Sequence, residues 1–283
     1  MKRKIKLWAL YLLKWIRRNS KILNSSQRKV QKNRVNLHWW SMERKDSNEN
    51  VGDFLSKVVC DYMLGKKGLT FEQHISSTKH LYCIGSIIQG GMQDAVVWGS
   101  GLKNGTKDFD VLSRRIRKLD IRLVRGPKTR EALLKSGYAC PEKYGDPALI
   151  MPLIYTPPER EKKKYIVILH HESERTIENS ITPITCDYKE FINQIYDSNL
   201  VISSSLHGII LAEAYGVPAI LMSDKVTRNM FKYEDYYLST GRASYSLASS
   251  VEEALKLPVP AVPKLEKLQK DIIDLFPYDL WEG

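Results

Sequence analysis

The sequence predicts an α/β protein built as two doubly wound halves that face each other across a cleft. Three observations predict it. Short apolar runs rich in β-branched and aromatic residues alternate with helical patterns, the signature of βα units around a largely parallel sheet. The chain of 283 residues exceeds one domain of roughly 100 to 200 residues. Between two groups of such runs lies Met151 to Lys164, MPLIYTPPEREKKK, three prolines followed by a charge run, which reads as a linker.

Strands are expected in the first half over Val35 to Trp40, Leu81 to Ile84, Ala95 to Trp98 and Ile121 to Val124. The second half offers Tyr165 to Leu169, Leu200 to Ser203 and Ala219 to Met222. Helical spacing is clearest at Phe54 to Leu64, Pro127 to Ser136, Tyr188 to Tyr196, Leu206 to Tyr215 and Lys264 to Phe276. The chain thus divides into a basic segment 1–34, a first α/β domain 35–155 and a second 156–283. The last helix, carrying Leu265, Leu268, Ile272, Ile273 and Phe276, follows LPVPAVP and could cross back to the first half.

A composition of 43% hydrophobic and 27% charged residues excludes disorder, collagen and small disulfide scaffolds. The net charge of +12 is concentrated rather than spread. Lys and Arg number 44 against 32 Asp and Glu, and twelve of the basic residues fall within 1–34, where no acid stands. The remainder is neutral, which argues against a nucleic-acid-binding face. Within the basic segment Ile5, Leu7, Trp8, Tyr11, Leu12, Trp15 and Ile16 recur at helical spacing, so an amphipathic helix is expected. Its apolar run is too short to span a bilayer, and no small-residue cleavage site follows it, so secretion is not expected. It can lie on anionic lipid or pack on the protein's own core.

Cys60, Cys83, Cys140 and Cys186 are far apart in sequence and form no CxxC pair. Buried free thiols in a cytoplasmic protein are the expectation. His171-Glu172 begins like HExxH, but Arg175 stands at the fifth position, so no metal site is expected.

The chemistry-bearing residues cluster where strands end. Asn50-Val51-Gly52-Asp53 opens a helix: Asp53 can cap it, Gly52 admits close backbone approach, and Asn50 can hold the loop or a hydroxyl-bearing substrate. Gly85-Ser86 and Gly99-Ser100-Gly101 are small-residue turns that leave room for a ligand, although neither is a dinucleotide or Walker loop. Arg125 ends a strand, Pro127 then opens a helix and Arg130 lies one turn on, an arrangement that can hold an anion. The alternative is that Arg125 pairs with a structural carboxylate such as Asp146 in the GDPA turn. Ser203-Ser204-Ser205-Leu206-His207 runs from a strand into a helix, where hydroxyls and N–H groups can surround phosphate and His207 can donate a proton. His170, His171, Lys232 and Asp235 stand at expected loop positions suited to ligand contact, with packing or solvated roles as the plain alternative.

Taken in order, NVGD, GS, WGSG, VRGPKTRE, GDPAL, SSSLHG, AEAYGVPAI and KYEDYY resemble the polysaccharide pyruvyl transferase family from about Asn50 to Tyr237. No one motif is specific; their order and spacing carry the likeness. The resemblance implies two Rossmann-like domains arranged as in GT-B glycosyltransferases. It also implies phosphoenolpyruvate as co-substrate, no other cofactor, and a galactose-type hexose of a surface glycan, built on a lipid carrier at the inner face of the cell membrane, as acceptor. In the family an arginine matching Arg125, and an Arg-Leu-His triplet matching Ser205-Leu206-His207, bind the donor. Here the triplet begins with serine, and Arg130, Lys232, Arg242 or His171 would have to supply the missing cation. The expected donor site is therefore Arg125, Ser204, Ser205, Leu206, His207 and Lys232. His207 would act as general acid and Asp53 as base, with Asn50, Gly52, Ser86, Ser100, Arg130 and His171 as further contacts. Two rivals stand beside this reading: a nucleotide-sugar glycosyltransferase of the same architecture, and an inactive membrane-associated scaffold of glycan assembly.

Overall fold

The computed structural model describes residues 30–40, 48–90, 93–105, 117–185, 187–224, 227 and 229–282. The expected N-terminal amphipathic helix and Cys186 lie outside the described residues, whereas Cys60, Cys83 and Cys140 are buried free thiols.

The architecture is mixed α/β with two parallel sheets. In the first, β1 (Val35–His38), β3 (Lys79–Tyr82), β4 (Ala95–Trp98) and β5 (Leu119–Leu123) lie side by side in that order, all parallel. In the second, the order is β11 (Leu247–Ala248), β10 (Ala219–Met222), β9 (Val201–Ser203), β6 (Ile166–Ile168) and β7 (Ser180–Ile181), again all parallel. Strands β4, β6, β9 and β10 are buried along their whole length, as expected where both faces of a parallel sheet are covered. All seven expected strands are present. The additional ones, including an antiparallel pair between β2 (Glu49–Asn50) and β8 (Ile184–Thr185), are two residues long and leave no periodic trace.

The helices are α1 (Val51–Gly65), α2 (Pro127–Lys135), α3 (Tyr188–Tyr196), α4 (Leu206–Ala214), α5 (Phe231–Ser239), α6 (Val251–Ala254) and α7 (Glu266–Asp274). Two sequence expectations are corrected. The stretch around Lys232 and Asp235 is helix α5 rather than loop, and it buries Tyr233, Asp235, Tyr236 and Tyr237. The linker begins later than expected, because Met151 belongs to a buried 3-10 helix, Pro147–Leu153, capped by the Asp146 side chain.

That 3-10 helix packs between α1 and α4, and the largest apolar cluster runs continuously from Leu55 and Val59 through Leu149 and Ile150 to Ile209 and Leu211. The chain's end returns to the first half. Trp98 Nε1 donates to the carbonyl of Ile272 at 3.0 Å, and Gln269 Nε2 donates to that of Leu149 at 2.9 Å. Tyr278 and Trp281 donate to the carbonyls of Met63 and Thr70 at 2.7 and 3.0 Å.

Candidate active site

A cavity of about 300 Å³ lies where loops leave the carboxyl ends of strands in both sheets, the place where open parallel sheets present ligands. Ser86 and Arg125 reach it from the first sheet, and His170, His171, Ser205, Leu206 and His207 from the second. Asn50 and Asp53 at the start of α1, and Lys232 on α5, complete the wall. A cavity of similar size, about 280 Å³, opens beside edge strand β1. Its charged residues Lys57 and Asp61 pair with each other and Glu72 pairs with Arg34 on the surface, so the charge chemistry points to the first cavity.

Its catalytic-looking core is a histidine between two carboxyls. Asn50, not Asp53, caps α1: its Oδ1 accepts from Gly52 N at 3.1 Å, which leaves Asp53 one turn in and facing the cavity. Burial pushes the Asp53 carboxyl up to about 7, against the pull of His207 and Lys232. Gly52 is required by packing, since a Cβ there would fall 1.9 Å from Nδ1 of His207. On the other side, Nε2 of His207 lies 3.7 Å from Oδ2 of Asp146. Both atoms are buried without a hydrogen-bond partner.

The cationic wall is built differently from the expectation. Arg125 is buried and pairs with Asp235, not Asp146. Its Nε donates to Asp235 Oδ2 at 3.1 Å, Nη1 to Ser86 Oγ at 2.7 Å, and Nη2 to the carbonyl of Leu102 at 2.8 Å. Asp235 also accepts from Thr129 N at 2.8 Å and Thr129 Oγ1 at 2.7 Å. The start of α2, expected to be open to a substrate anion, therefore already holds a carboxylate. Gly126 makes the approach possible, because a Cβ there would meet the Asp235 carbonyl at 1.9 Å.

Lys232 Nζ stands 3.4 Å from His170 Nε2. Burial, reinforced by Arg125 and Lys103, brings the Lys232 amine down to about 8. Burial and then Lys232 and His171 bring His170 down to about 3, so that ring is neutral. His170 stacks on His171 with ring centres 4.3 Å apart, and Trp40 lies 5.7 Å beyond His171 at the mouth. His170, His171 and Glu172 could gather round a cation, with ligand atoms within 4.8 Å of one another. However, His170 Nδ1 accepts from Glu172 N at 3.2 Å and its Nε2 faces the Lys232 amine, so this ring has little left to offer a metal.

Asp53, His207, Arg125, Ser205, Leu206, Lys232, Asn50, Ser86 and His171 all line the cavity, with Gly52 packed behind His207. Three other expected contacts are spent on the scaffold. Ser204 Oγ accepts from His170 N at 2.8 Å, Ser100 Oγ donates to the carbonyl of Gly85 at 2.8 Å, and Arg130 Nε donates to that of Cys140 at 3.2 Å. Arg242 is excluded as the replacement cation, because both its prongs grip Glu213 at 2.7 Å beside a separate cavity. Sequence reasoning passed over Lys103, Gln89 and Trp40. The signal for Lys103 was present: a cation two residues after the Gly99-Ser100-Gly101 turn at a strand end.

A strand-end cavity with cations, a histidine and an ionisable carboxyl suits an anionic substrate. The chain is 28% identical over 212 residues to the succinoglycan biosynthesis protein ExoV of Rhizobium meliloti, a stretch covering 68% of this chain and 62% of that relative's length. The crystal structure of an uncharacterised protein from Klebsiella pneumoniae superposes with a TM-score of 0.51 at 16% identity, over 87% of this chain and 98% of that one, a likeness of fold. The model of the polysaccharide pyruvyl transferase family matches residues 16–225, and a match of that extent decides membership: the chain belongs to the polysaccharide pyruvyl transferase family.

Proposed function

We propose that this protein transfers pyruvate from phosphoenolpyruvate to a hexose, of galactose type, in a surface polysaccharide or its lipid-linked precursor. The products are a cyclic pyruvate ketal and phosphate. The observation that carries the reading is the placement of Arg125, Lys232 and the first turn of α4 around the same cavity as Asp53 and His207. The donor bears a carboxylate and a phosphate, and such groups are held by cations and by the N–H groups that open a helix. Ser205, which precedes α4, makes no side-chain cap, so those N–H groups stay available. Lys232, with Lys103 beside it, supplies the cation that family relatives draw from the arginine at the Ser205 position.

The chemistry then balances as follows. His207 gives a proton to the methylene carbon, one sugar hydroxyl attacks the central carbon, and Asp53 takes that hydroxyl's proton. Phosphate leaves with the C–O bond electrons. The second hydroxyl of the same sugar closes the ketal, its proton leaving with the phosphate. An Asp53 carboxyl that titrates near 7 can take and return protons at neutral pH. The proposed steps draw on side chains alone.

The same reading arranges residues 35–155 and 156–283 as two Rossmann-like domains in the GT-B manner. It sets the protein at the inner face of the membrane, with the basic segment 1–34 against anionic lipid. Among the described residues no helix is long and apolar enough to cross a membrane. A variant lacking residues 1–20 should leave anionic vesicles yet act on soluble acceptor. The decisive experiment is calorimetric titration with phosphoenolpyruvate beside a panel of nucleotide sugars. Saturable binding of phosphoenolpyruvate supports the reading, and binding of a nucleotide sugar instead overturns it.

A further inference from the structure

Asp146 belongs to the buried turn before the 3-10 helix, and only half of its carboxylate is accounted for by the fold. Oδ1 accepts from Ala148 N at 3.0 Å and caps that helix. Oδ2 has no hydrogen-bond partner, although Asp146 is 1% exposed. A buried carboxylate oxygen left unpaired is costly, so its surroundings must repay it. What faces it is Nε2 of His207, at 3.7 Å and equally unpartnered. Catalytic hydrogen bonds are often this long before substrate arrives and tighten in the loaded site.

We infer that Asp146 is a positioning residue for His207: its Oδ2 holds the imidazole Nε2–H and so fixes the orientation and the tautomer of the ring. The inference rests on the acid role proposed above for His207. Nδ1 lies on the side of Gly52, at the start of the helix that carries Asp53, so the two nitrogens have different neighbours. When Nδ1 has given its proton away, the ring is left as the neutral Nε2–H tautomer, already paired with Asp146. Other charges act on the same ring. Asp53 from α1 and His170 from the loop after β6 bear on it directly, with Lys232 of α5 beside both. Asp146 differs from these in meeting Nε2 and in standing outside the cavity lining.

The test reads His207 itself, by nitrogen NMR of the imidazole in the full-length, donor-free protein. In the unaltered protein at alkaline pH the ring should be the Nε2–H tautomer, and finding Nδ1–H there overturns the inference without any variant. Asp146→Asn keeps the Oδ1 cap and the side-chain volume while turning a donor toward Nε2. It should drive the ring to the Nδ1–H tautomer. Turnover should fall by about 10²- to 10⁴-fold, the scale of losing a carboxylate that fixes a catalytic imidazole, with KM for phosphoenolpyruvate within about twofold. An Asn variant with the original tautomer and turnover overturns the inference. If neither form turns over phosphoenolpyruvate, the functional reading fails while the imidazole signals still decide the role of Asp146.

Discussion

Arg125 and Asp235 meet at 3.1 Å in an ion pair that solvent does not reach, between a strand end of the first half and a helix of the second. One carboxylate thereby fixes the guanidinium, closes the start of α2 through Thr129, and holds α5 in place. Asp235→Ala leaves a buried cation alone and a helix start open. The expected loss is about 3–5 kcal/mol of folding stability, the usual cost of stripping one partner from a buried pair. Urea denaturation followed by circular dichroism measures it, and an unmoved midpoint would show that the pair holds nothing together.

Because Arg125 serves the fold as well as the cavity, its alanine variant mixes two effects. Arg125→Lys separates them better, keeping the charge but losing the planar fork that reaches Asp235, Ser86 and Leu102 together. Phosphoenolpyruvate affinity should drop about 10- to 100-fold in a protein that still melts cooperatively. Calorimetry on the folded variant gives the answer, and unchanged affinity removes Arg125 from the donor site.

Asp53 ties activity and stability to pH in opposite senses. Its carboxyl sits at about 7 in the fold against 3.8 for an ordinary side chain, so the folded state holds this proton more tightly than the unfolded one. The contribution to stability is complete below about pH 4 and disappears as pH rises through about 7. The base role, in contrast, needs the ionised form, so kcat/KM should rise with pH through the same range. Asp53→Asn should be more stable than the unaltered protein at pH 8 and nearly inactive. A variant that keeps the rising limb of the profile assigns that limb to another group.

Lys232 should register the donor as proton uptake. Its amine is held down to about 8, and an anion arriving beside it restores the proton. At pH 8.5 to 9, calorimetry in buffers of different ionisation heat should show protons entering the complex as phosphoenolpyruvate binds, and Lys232→Gln should abolish the uptake. Equal heats in all buffers would place the amine away from the donor.

Gly52→Ala is a steric test of the His207 position. The added methyl would lie 1.9 Å from Nδ1, so the ring must move, although alanine itself suits a helix. Turnover should fall on the order of 10²-fold from displacement of about an ångström, with the helix intact. Normal turnover would mean that the ring position does not matter.

Much of this was legible in the chain, for physical reasons. Ala95–Trp98 and Ala219–Met222 appear with the bounds expected, because a strand covered on both faces is an unbroken apolar run. Helix α5 was not legible, since the residues it buries include Asp235 and three tyrosines, which do not draw an apolar stripe. Arg125 stood out as a cation at a strand end, but its partner lies 110 residues away, and nothing local distinguishes Asp235 from Asp146. The hydroxyls of Ser100 and Ser204 resembled ligand contacts because sequence shows where a side chain is attached and not which backbone group claims it.

The tie between Trp98 and Ile272 has a temporal side. Trp98 is among the largest buried side chains of the first sheet, and its indole N–H finds its acceptor 174 residues downstream. A ribosome releases the chain from its beginning, so the first sheet emerges with this donor unsatisfied and the surface under Phe276 and Trp281 bare. Packing of the earliest strands is completed only when the final helix arrives, and until then the nascent first half presents a sticky apolar face to whatever chaperone attends its synthesis.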